Sequence, residues 1–375
     1  MIKRRTLLWG LMGFAIAGCR SSSSDSFRVK FLARSIPSQI LKTFNRQIPS
    51  QFEAAITLSD IYQQLQWWEA QKAPLPPLWK RFLPLRNSAS TPSDEYRVKT
   101  NLVTLSDPWL DHAIQQELIQ PIPEFIPAES LPEPWQRLLR RDRQGKSTAQ
   151  GNDLWAVPYR TQGLMIAYQK PLFEGNNAIT KWADLWRPEL AGRIAMPNHP
   201  RLAISIVLKA LGYSANDESV LIEDDVKEQL SALYRQVRVF DSQSHLKALV
   251  NEDVWLSVGW SGDILATLVR YRRLGAVNPQ EGTVLTSDLW VAPVDAHLTD
   301  AAKAWLEFCW QPEIATQISL SSYGLSPLFF LPGATLPDKL PEQMMQLPID
   351  SEVLLPLSPQ ARETLKSLLS HVDPE

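Results

Sequence analysis

The chain has 375 residues, 44% of them hydrophobic, and a formal net charge of −2. This near-neutral charge gives no electrostatic basis for binding nucleic acid, and the five histidines are scattered singly, without metal-ligand spacing. The length allows about two domains with full hydrophobic cores.

The N-terminus is typical of an export signal. A basic cluster at residues 3–5 precedes about eleven apolar residues, too few to span a bilayer, which takes about 20. The run ends in a Gly-Cys pair followed by four serines. This order resembles the lipobox of bacterial lipoproteins, in which the cysteine is lipidated, whereas a buried helix with a structural cysteine would not require it.

We therefore predict a signal peptide over residues 1–18, lipidation of Cys19 and a tether over residues 19–26. The pair Arg4-Arg5 also resembles a twin-arginine export signal. The other cysteine, Cys309, lies on a hydrophobic helix pattern without a disulfide partner, so we expect a buried core thiol.

The first part of the chain alternates between predicted strands and helices. Strands are predicted near 27–35, 52–58 and 101–107, and helices near 37–47, 59–71 (with Ser59 as N-cap) and 112–122. Residues 73–95 are rich in Pro and Ser and predict an irregular insertion. The βαβα order is typical of a mostly parallel, doubly wound sheet.

A second unit begins near Leu154. We predict two strands broken at residues 158–163, a helix-turn-strand unit over 182–198, helices over 200–214 and 226–237, and a helix-strand-helix unit over 241–270. A strand pair over 282–296, a helix kinked at Pro312 and a closing C-terminal helix follow. Crossovers near 157–163 and 265–285 would join two lobes around a cleft on which strand-end loops converge.

Three of these strand-end loops pair an acidic with an aromatic side chain. The pairs lie in "LSDPWL", "GWSGD" and "TSDLW". Carboxylates beside indole faces suit a cation, although each aspartate alone is also a common helix cap or turn residue. We predict that Trp109 and Trp260 sandwich an organic ligand while Asp288 and Asp107 hold its positive group. The full predicted ligand-binding set is Asp107, Trp109, Tyr159, His199, Trp260, Asp263, Asp288 and Tyr323.

Motifs of catalysis and of cofactor binding are missing from the sequence. We find no phosphate loop, dinucleotide fingerprint, nucleophile elbow or zinc-binding helix motif. The sequence therefore predicts a binding protein without catalytic residues, metal or cofactor.

Several blocks of the sequence resemble the bacterial extracellular solute-binding proteins of ABC importers, and most closely the spermidine/putrescine-binding proteins. They lie in order over roughly residues 100–330 and include "LVTLSDPWLDHAIQQELIQPI", "WADLWRPELAGRIAMPN", "LSVGWSGDILA", "SDLWVAP" and "YGLSP". The resemblance implies the type II periplasmic-binding-protein fold: two doubly wound α/β lobes joined by two extended crossovers. Lobe 1 would comprise residues 27–158 plus 270–375, and lobe 2 residues 159–269.

The same resemblance implies a function. We expect a monomeric protein of the periplasm or cell envelope, lipid-anchored at Cys19, without a nucleic-acid partner. It would capture a small cationic, polyamine-like solute between its lobes and deliver it to an ABC permease in the inner membrane. Trp109 and Trp260 fall on family aromatics, and Asp288 falls on an acid that pairs with an amine.

The chain departs from the family pattern in three places. His199 and Arg201 lie in the loop where the family has acids, Thr286 replaces an aromatic, and Arg160 lies near the first crossover. A shorter amine, an amino acid or an anion is therefore an alternative solute. An exported two-lobe enzyme and a ligandless scaffold lipoprotein are alternatives of other classes.

Overall fold

The computed structural model describes residues 26–71, 99–123, 125, 129–146, 153–348 and 350–370. The predicted signal peptide, Cys19, the tether up to residue 25 and the insertion at 73–95 lie outside these residues. Of the helices in the described ranges, none combines the length and the apolar character needed to cross a bilayer.

The described strands form one large mixed sheet and a separate two-stranded one. In chain order the strands are β1 Phe27–Leu32, β2 Ser50–Ala55, β3 Leu102–Ser106, β4 Ile119–Gln120, β5 Arg140–Arg141, β6 Asp153–Leu154, β7 Val157–Gln169, β8 Ile194–Met196, β9 Val237–Phe240, β10 Leu256–Trp260, β11 Leu274–Val277, β12 Val284–Pro293 and β13 Glu352–Val353. The large sheet has the order β2-β1-β3-β12-β7-β10-β8-β9, with β4 and β13 paired to β12 and β11 paired to β7.

Helices cover both faces of this sheet. The described α-helices are α1 Ser38–Gln47, α2 Leu58–Ala70, α3 Leu110–Gln115, α4 Glu133–Leu139, α5 Pro200–Ala210, α6 Asp224–Gln236, α7 His245–Val250, α8 Ser261–Arg270, α9 Asp300–Cys309, α10 Pro312–Ser322, α11 Glu342–Met345 and α12 Pro359–Ser370. Short 3-10 turns lie between them, one of which, Asp107–Trp109, follows β3 directly.

Strand β7 divides the large sheet into two parts, each of which is the sheet of one lobe, and so joins the two lobes. Its first half pairs antiparallel with β12 in the sheet of the first lobe, which also contains the parallel strands β1, β2 and β3. Its second half pairs with β10 and β11 in the sheet of the second lobe, where β8, β9 and β10 are parallel. The chain between β11 and β12 makes the second connection, so the two-lobed arrangement expected from the sequence is present.

Each lobe has its own hydrophobic core. The first is rich in aromatic rings and contains Phe44, Trp290 and Trp305. The second lobe is packed on both faces of its sheet, in two separate apolar clusters. Cys309 is a free thiol buried in the first core, which confirms the core thiol.

The break predicted at residues 158–163 is wrong, because β7 runs through them as one strand of 13 residues. In the pairing of β7 with β12, Arg160 lies opposite Asp288 and Pro158 lies opposite Leu289. Tyr159 has no residue opposite it and is therefore the extra residue of a β-bulge in β7. Proline lacks the N–H that a ladder needs, and a bulge is one of the few places in a sheet that tolerate it. The strand pair predicted over 282–296 is likewise one strand, β12, buried along its whole length.

Two boundaries differ from the predicted lobes. Residues 274–277 form β11 and pair with the second half of β7, so the second crossover starts later than residue 265. Helix α12 packs through Ala361 and Leu365 into the core of the second lobe, although residues 270–375 are predicted to belong to the first. The exact division of the chain into lobes stays a prediction.

The N-terminus of α2 has a different cap from the one expected. Thr57, not Ser59, precedes the helix, and its hydroxyl accepts the backbone N–H of Asp60 at 3.1 Å. The carboxylate of Asp60 accepts the backbone N–H of Thr57 at 3.0 Å in return. This reciprocal capping box satisfies two helix donors at once, which Ser59 could not do from within the first turn.

Candidate functional site

A cleft lies where strand-end loops of the two lobes meet. Its volume is about 440 Å³, within the range of roughly 300–1,000 Å³ that small-molecule sites occupy. Its wall is formed by residues 107, 108, 111 and 112 of the first lobe, residues 199–201 of the second lobe and parts of the C-terminal segment 354–369. Charged side chains from both lobes therefore face one cavity.

Strand β3 places Asp107 on this wall. The strand ends at Ser106, and Asp107 then opens a 3-10 turn that Pro108 favours through its fixed φ. The side chain of Asp107 is 99% buried: the residue is 1% exposed. Its Oδ1 accepts hydrogen bonds from the hydroxyls of Ser106, at 3.1 Å, and of Thr286. Its Oδ2 is buried and has no hydrogen-bond partner among the described residues.

The burial of Asp107 changes its acidity. Desolvation disfavours the carboxylate and raises the pKa of Asp107 to about 7, while the hydroxyls of Thr286 and Ser106 and the backbone N–H of Ser287 oppose that rise. The negative charge of Asp288 adds to it. A cation at Oδ2 would stabilise the carboxylate and lower this pKa again, so Asp107 can gain its charge when a cation enters.

Arg201 lies on the wall contributed by the second lobe, in the first turn of α5. Its Nη1 donates to the carbonyl of Ala215 at 2.9 Å, and its Nη2 donates to Asn216 Oδ1 and the carbonyl of Leu355 at 3.1 and 3.2 Å. Its Nε is buried without a partner among the described residues. Burial lowers the pKa of Arg201 to about 10, against the opposing charges of Glu218 and Glu352, so the guanidinium is charged at neutral pH.

His199 occupies the N-cap position of α5, on the exposed rim of the cavity. Desolvation and the positive charge of Arg201 lower the pKa of His199. The ring is therefore neutral at pH 7 and can offer one donor and one acceptor to a solute. Among the predicted binding residues, Asp107 and His199 are the two that the structure brings to this cavity.

A second charged pair crosses the cleft. The carboxylate of Asp111, on α3 of the first lobe, lies 3.6 Å from the guanidinium of Arg362. Arg362 belongs to α12, which packs on the second lobe. Asp111 and Arg362 therefore compensate each other and connect the lobes directly.

Asp288 is engaged within the chain. The guanidinium of Arg160 contacts its Oδ2 from Nε at 2.7 Å and from Nη2 at 2.5 Å, and both residues are at most 6% exposed. Burial disfavours the charge on Arg160, but the carboxylate of Asp288 outweighs this, and the pKa of Arg160 is raised. Asp288 could meet a solute amine only if Arg160 released it, and that role stays a prediction.

The predicted aromatic residues lie outside the cavity wall. Trp109 is half-buried and packs on Tyr62, with ring centroids 4.6 Å apart, and Trp260 packs on the core of the second lobe. Tyr159 is fully buried: it stacks on Trp290, and its hydroxyl donates to Ser35 Oγ at 2.9 Å. The sandwich of Trp109 and Trp260 around a ligand stays a prediction.

The last two predicted residues also lie away from the cavity. Asp263 is exposed in the first turn of α8. Tyr323 ends α10 in the left-handed conformation, with φ of 53°, and its carbonyl accepts from Ser261 Oγ at 3.0 Å. Both stay predictions as ligand contacts.

The cleft contains no cluster typical of a metal site. Across the described parts of the chain, no three His, Cys, Asp or Glu side chains are grouped so that they could hold a metal ion. The cavity instead combines carboxylates, guanidinium groups and apolar side chains, a set that can bind an organic ion.

A family model described as "Bacterial extracellular solute-binding protein" matches residues 99–354. The chain belongs to this family. It is a family of solute-binding proteins of ABC transporters and not of enzymes, so the alternative of an exported two-lobe enzyme is not supported.

Curated relatives share part of the sequence of this solute-binding protein. The spermidine/putrescine-binding periplasmic protein of Salmonella typhimurium is 26% identical over 168 residues, which cover 45% of this chain and 48% of the relative. The putrescine-binding periplasmic protein PotF of Escherichia coli is 24% identical over 238 residues, covering 58% and 62%. The chain thus spans about half the length of the first of these relatives, and its own solute must be argued from its site.

A solved structure shares nearly the whole fold. The spermidine/putrescine ABC transporter substrate-binding protein PotD of Streptococcus pneumoniae superposes with a TM-score of 0.69 and 17% identity, covering 92% of this chain and 98% of that one. At this identity the likeness concerns the fold alone. It confirms the two-lobed periplasmic-binding-protein fold.

Sequence reasoning missed several residues of the cavity. Arg201 was noticed as a departure from the family pattern but was not assigned to the site, and Asp111, Arg362 and the apolar residues 354–357 were not singled out. The amphipathic pattern of the C-terminal helix predicted that it packs on a lobe. No local pattern indicates that the C-terminal segment also forms a wall of the cleft. That role depends on contacts with residues more than 150 positions earlier, such as the hydrogen bond from Arg201 to the carbonyl of Leu355.

Proposed function

We propose that this solute-binding protein captures a small solute with a protonated amine in the cleft between its lobes and delivers it to an ABC permease. The observation that carries the proposal is Asp107, a buried carboxyl on the cavity wall whose Oδ2 has no hydrogen-bond partner in the part of the chain that the structure describes. A buried polar group without a partner costs about 1–3 kcal/mol, and an ammonium group would remove that cost. Relatives named for spermidine and putrescine support an amine.

Capture would proceed by a shift between lobe arrangements. A solute that contacts residues of both lobes stabilises the arrangement in which they are close, in proportion to its differential affinity for that state. Asp107 on one lobe and the N-terminus of α5 on the other line the same cavity, which supports this mechanism.

The proposal predicts that Asp107→Asn abolishes amine binding without unfolding the protein. Asparagine keeps the shape and the Oδ1 acceptor but cannot carry a charge. Because the folded state raises the pKa of Asp107 above 3.8, burying the carboxylate destabilises the wild type above pH 7, and Asp107→Asn should have an equal or higher Tm at pH 8. Isothermal titration calorimetry with putrescine, spermidine and monoamines measures binding.

Asp253→Asn is the matched control, since Asp253 is an exposed aspartate of the second lobe outside the cavity wall. We expect it to bind amines like the wild type. Equal amine affinity in Asp107→Asn and the wild type would refute the assignment of Asp107, and a wild type that binds no amine at all would refute the proposed solute class.

We further propose that the protein is exported to the cell envelope and anchored there by a lipid on Cys19. The support is the order of basic, apolar and small residues before this cysteine, together with the periplasmic names of the relatives. Cys19→Ser is expected to move the protein from the membrane fraction to the soluble envelope fraction. A variant that fractionates with membranes as the wild type does would contradict the anchor.

A further inference from the structure

We infer that the solute carries a carboxylate as well as an ammonium group, so that it is an amino acid with the two charges at opposite ends, and not a bare polyamine. The inference rests on the proposed function and narrows the substrate class of the same cleft. It follows from two groups of opposite charge that line one cavity from different lobes, the buried Asp107 and the half-buried Arg201.

Arg201 is a half-buried positive charge, and the carboxylates that attract it, Glu218 and Glu352, form no ion pair with it. Within the described part of the chain, no carboxylate lies at ion-pair distance from it, and its three hydrogen bonds go to neutral oxygens of Ala215, Asn216 and Leu355. Nearby Glu352 is engaged with Lys209 at 2.8 Å, and Glu218 accepts the N–H of Ser358 at 2.6 Å. A charge that is partly removed from water is stabilised by a paired anion, so Arg201 favours an anion in the cavity that it lines.

The position of Arg201 in its helix acts in the same direction. It is the second residue of α5, an 11-residue helix whose N-terminus, with His199 as N-cap, lies on the cavity wall. Aligned peptide dipoles give a helix N-terminus a partial positive charge that favours anions. The guanidinium, its Nε without a partner among the described residues, and this dipole all belong to the wall that the second lobe contributes.

The other charges on the wall do not cancel this polarity. Asp111 and Arg362 compensate each other across the cleft at 3.6 Å, and Lys366 is an exposed cation on α12. Among the described residues of the wall, Asp107 is therefore the acid without an ion-pair partner, and Arg201 is the guanidinium without one. A diamine satisfies Asp107 but brings its second ammonium into a cavity that also contains Arg201, whereas an amino carboxylate satisfies both.

The rest of the cavity wall suits the hydrocarbon part of the solute, between its ammonium and carboxylate groups. Leucines and prolines from both lobes and from the C-terminal segment provide most of it, among them Pro108, Leu354, Leu357 and Leu365. Such side chains favour methylene groups, at about 0.8 kcal/mol for each one buried. The cavity thus combines an acceptor for an ammonium group, an apolar wall and a donor for a carboxylate.

The decisive experiment compares matched ligands on the unaltered full-length protein by isothermal titration calorimetry. 4-Aminobutyrate and putrescine have the same backbone length and differ in the group at one end, as do 5-aminovalerate and cadaverine. We expect the best amino carboxylate of the series from 3-aminopropionate to 6-aminohexanoate to bind at least tenfold more tightly than its matched diamine. Diamines that bind as tightly as their partners at every length would overturn the inference and leave the proposed function standing.

The absence of binding by both series would overturn the proposed function itself. Butylamine and butyrate, which each carry one of the two charges, are expected to bind more weakly than 4-aminobutyrate. If butyrate bound as tightly as 4-aminobutyrate, the amine would contribute nothing to binding. That result would contradict both the proposed capture of an amine at Asp107 and the inferred amino-acid solute.

Arg201→Gln tests whether Arg201 binds the carboxylate of the solute. The variant should lose most of the preference for the amino carboxylate over the matched diamine, whereas Arg235→Gln, at an exposed position on α6, should keep it. Arg201 also holds Ala215 and Leu355, so Arg201→Lys serves as the folded, charge-retaining variant and should keep the sign of the preference. An unchanged ratio of affinities in a folded Arg201→Gln protein would refute the role of Arg201.

Discussion

Asp107 shows how one residue can combine a structural cost with a function. Its carboxyl is buried: Oδ1 receives two hydroxyl donors, whereas Oδ2 receives no hydrogen bond from the described residues. A pKa near 7 instead of 3.8 means that burying the charged carboxylate lowers the free energy of unfolding by about 4 kcal/mol. A cation that pairs with the carboxylate can recover this free energy. Sites that are incompletely satisfied in the free protein are typical of binding clefts.

The acidity of Asp107 predicts how binding depends on pH. In the free protein its pKa is raised to about 7, whereas an ammonium group must lower it, so binding releases a proton below pH 7. Amine affinity should rise about tenfold per unit as pH increases from 5.5 to 7 and level off above. Calorimetry at several pH values, in buffers of different ionisation enthalpy, measures both the affinity and the proton count.

Asp107→Asn removes the titrating group, and its residual binding should not vary over this range. The lowered pKa of His199 keeps its ring neutral above pH 6.5, so the affinities between pH 6.5 and 7 report on Asp107 without a contribution from His199. Affinity that stays constant or increases as pH falls would show that Asp107 is not the group that meets the amine.

At the scale of single residues, the sequence indicated charge but not its pairing. The motif around Asp288 suggested an acid for a ligand, yet the register of β7 against β12 places Arg160 opposite it, in a buried ion pair. That register depends on the bulge at Tyr159, which shifts the pairing by one residue. A one-residue shift changes which side chains meet across strands, and no local pattern reveals it.

At the scale of elements, most strands and helices could be predicted, because their periodicity directly reflects burial. Strand β1, helix α1 and helix α5 lie within two to four residues of their predicted bounds. Strand β12 was harder to predict: it is central and buried on both sides, so its sequence lacks the alternation that marks a half-exposed strand.

The C-terminal segment shows where local prediction stops. A helix was expected there and is present, but its place depends on contacts with residues about 140 positions earlier. Glu352 accepts from Lys209 at 2.8 Å, Asn216 donates to the carbonyl of Val353 at 2.9 Å, and Val353 continues the sheet beside β12. These bonds fix the segment against the second lobe and make it a wall of the cleft, a role that only the tertiary structure reveals.

At the scale of the whole molecule, two connections and a charged pair determine how the lobes can move. Strand β7 continues through both sheets, and the chain between β11 and β12 returns beside it. Across the cleft, Asp111 of the first lobe and Arg362 of α12 lie 3.6 Å apart. The covalent connections permit a hinge motion, and the ion pair favours the arrangement in which the lobes are close.

Arg362→Gln should therefore shift the free protein towards the open arrangement. Because Arg362 is 37% exposed in its side chain, the pair contributes about 0.5–1 kcal/mol, and removing it should weaken solute binding two- to fivefold. Small-angle X-ray scattering should show a larger radius of gyration for the unliganded variant than for the wild type, and equal radii when both are saturated.

Lys303→Gln, which removes an exposed ion pair within α9, is the control and should change neither the solute affinity nor the radius of gyration. Identical scattering and identical affinity of Arg362→Gln and the wild type would show that Asp111 and Arg362 are merely neighbours, since an interaction present only in the closed arrangement must affect both its population and the binding that depends on it.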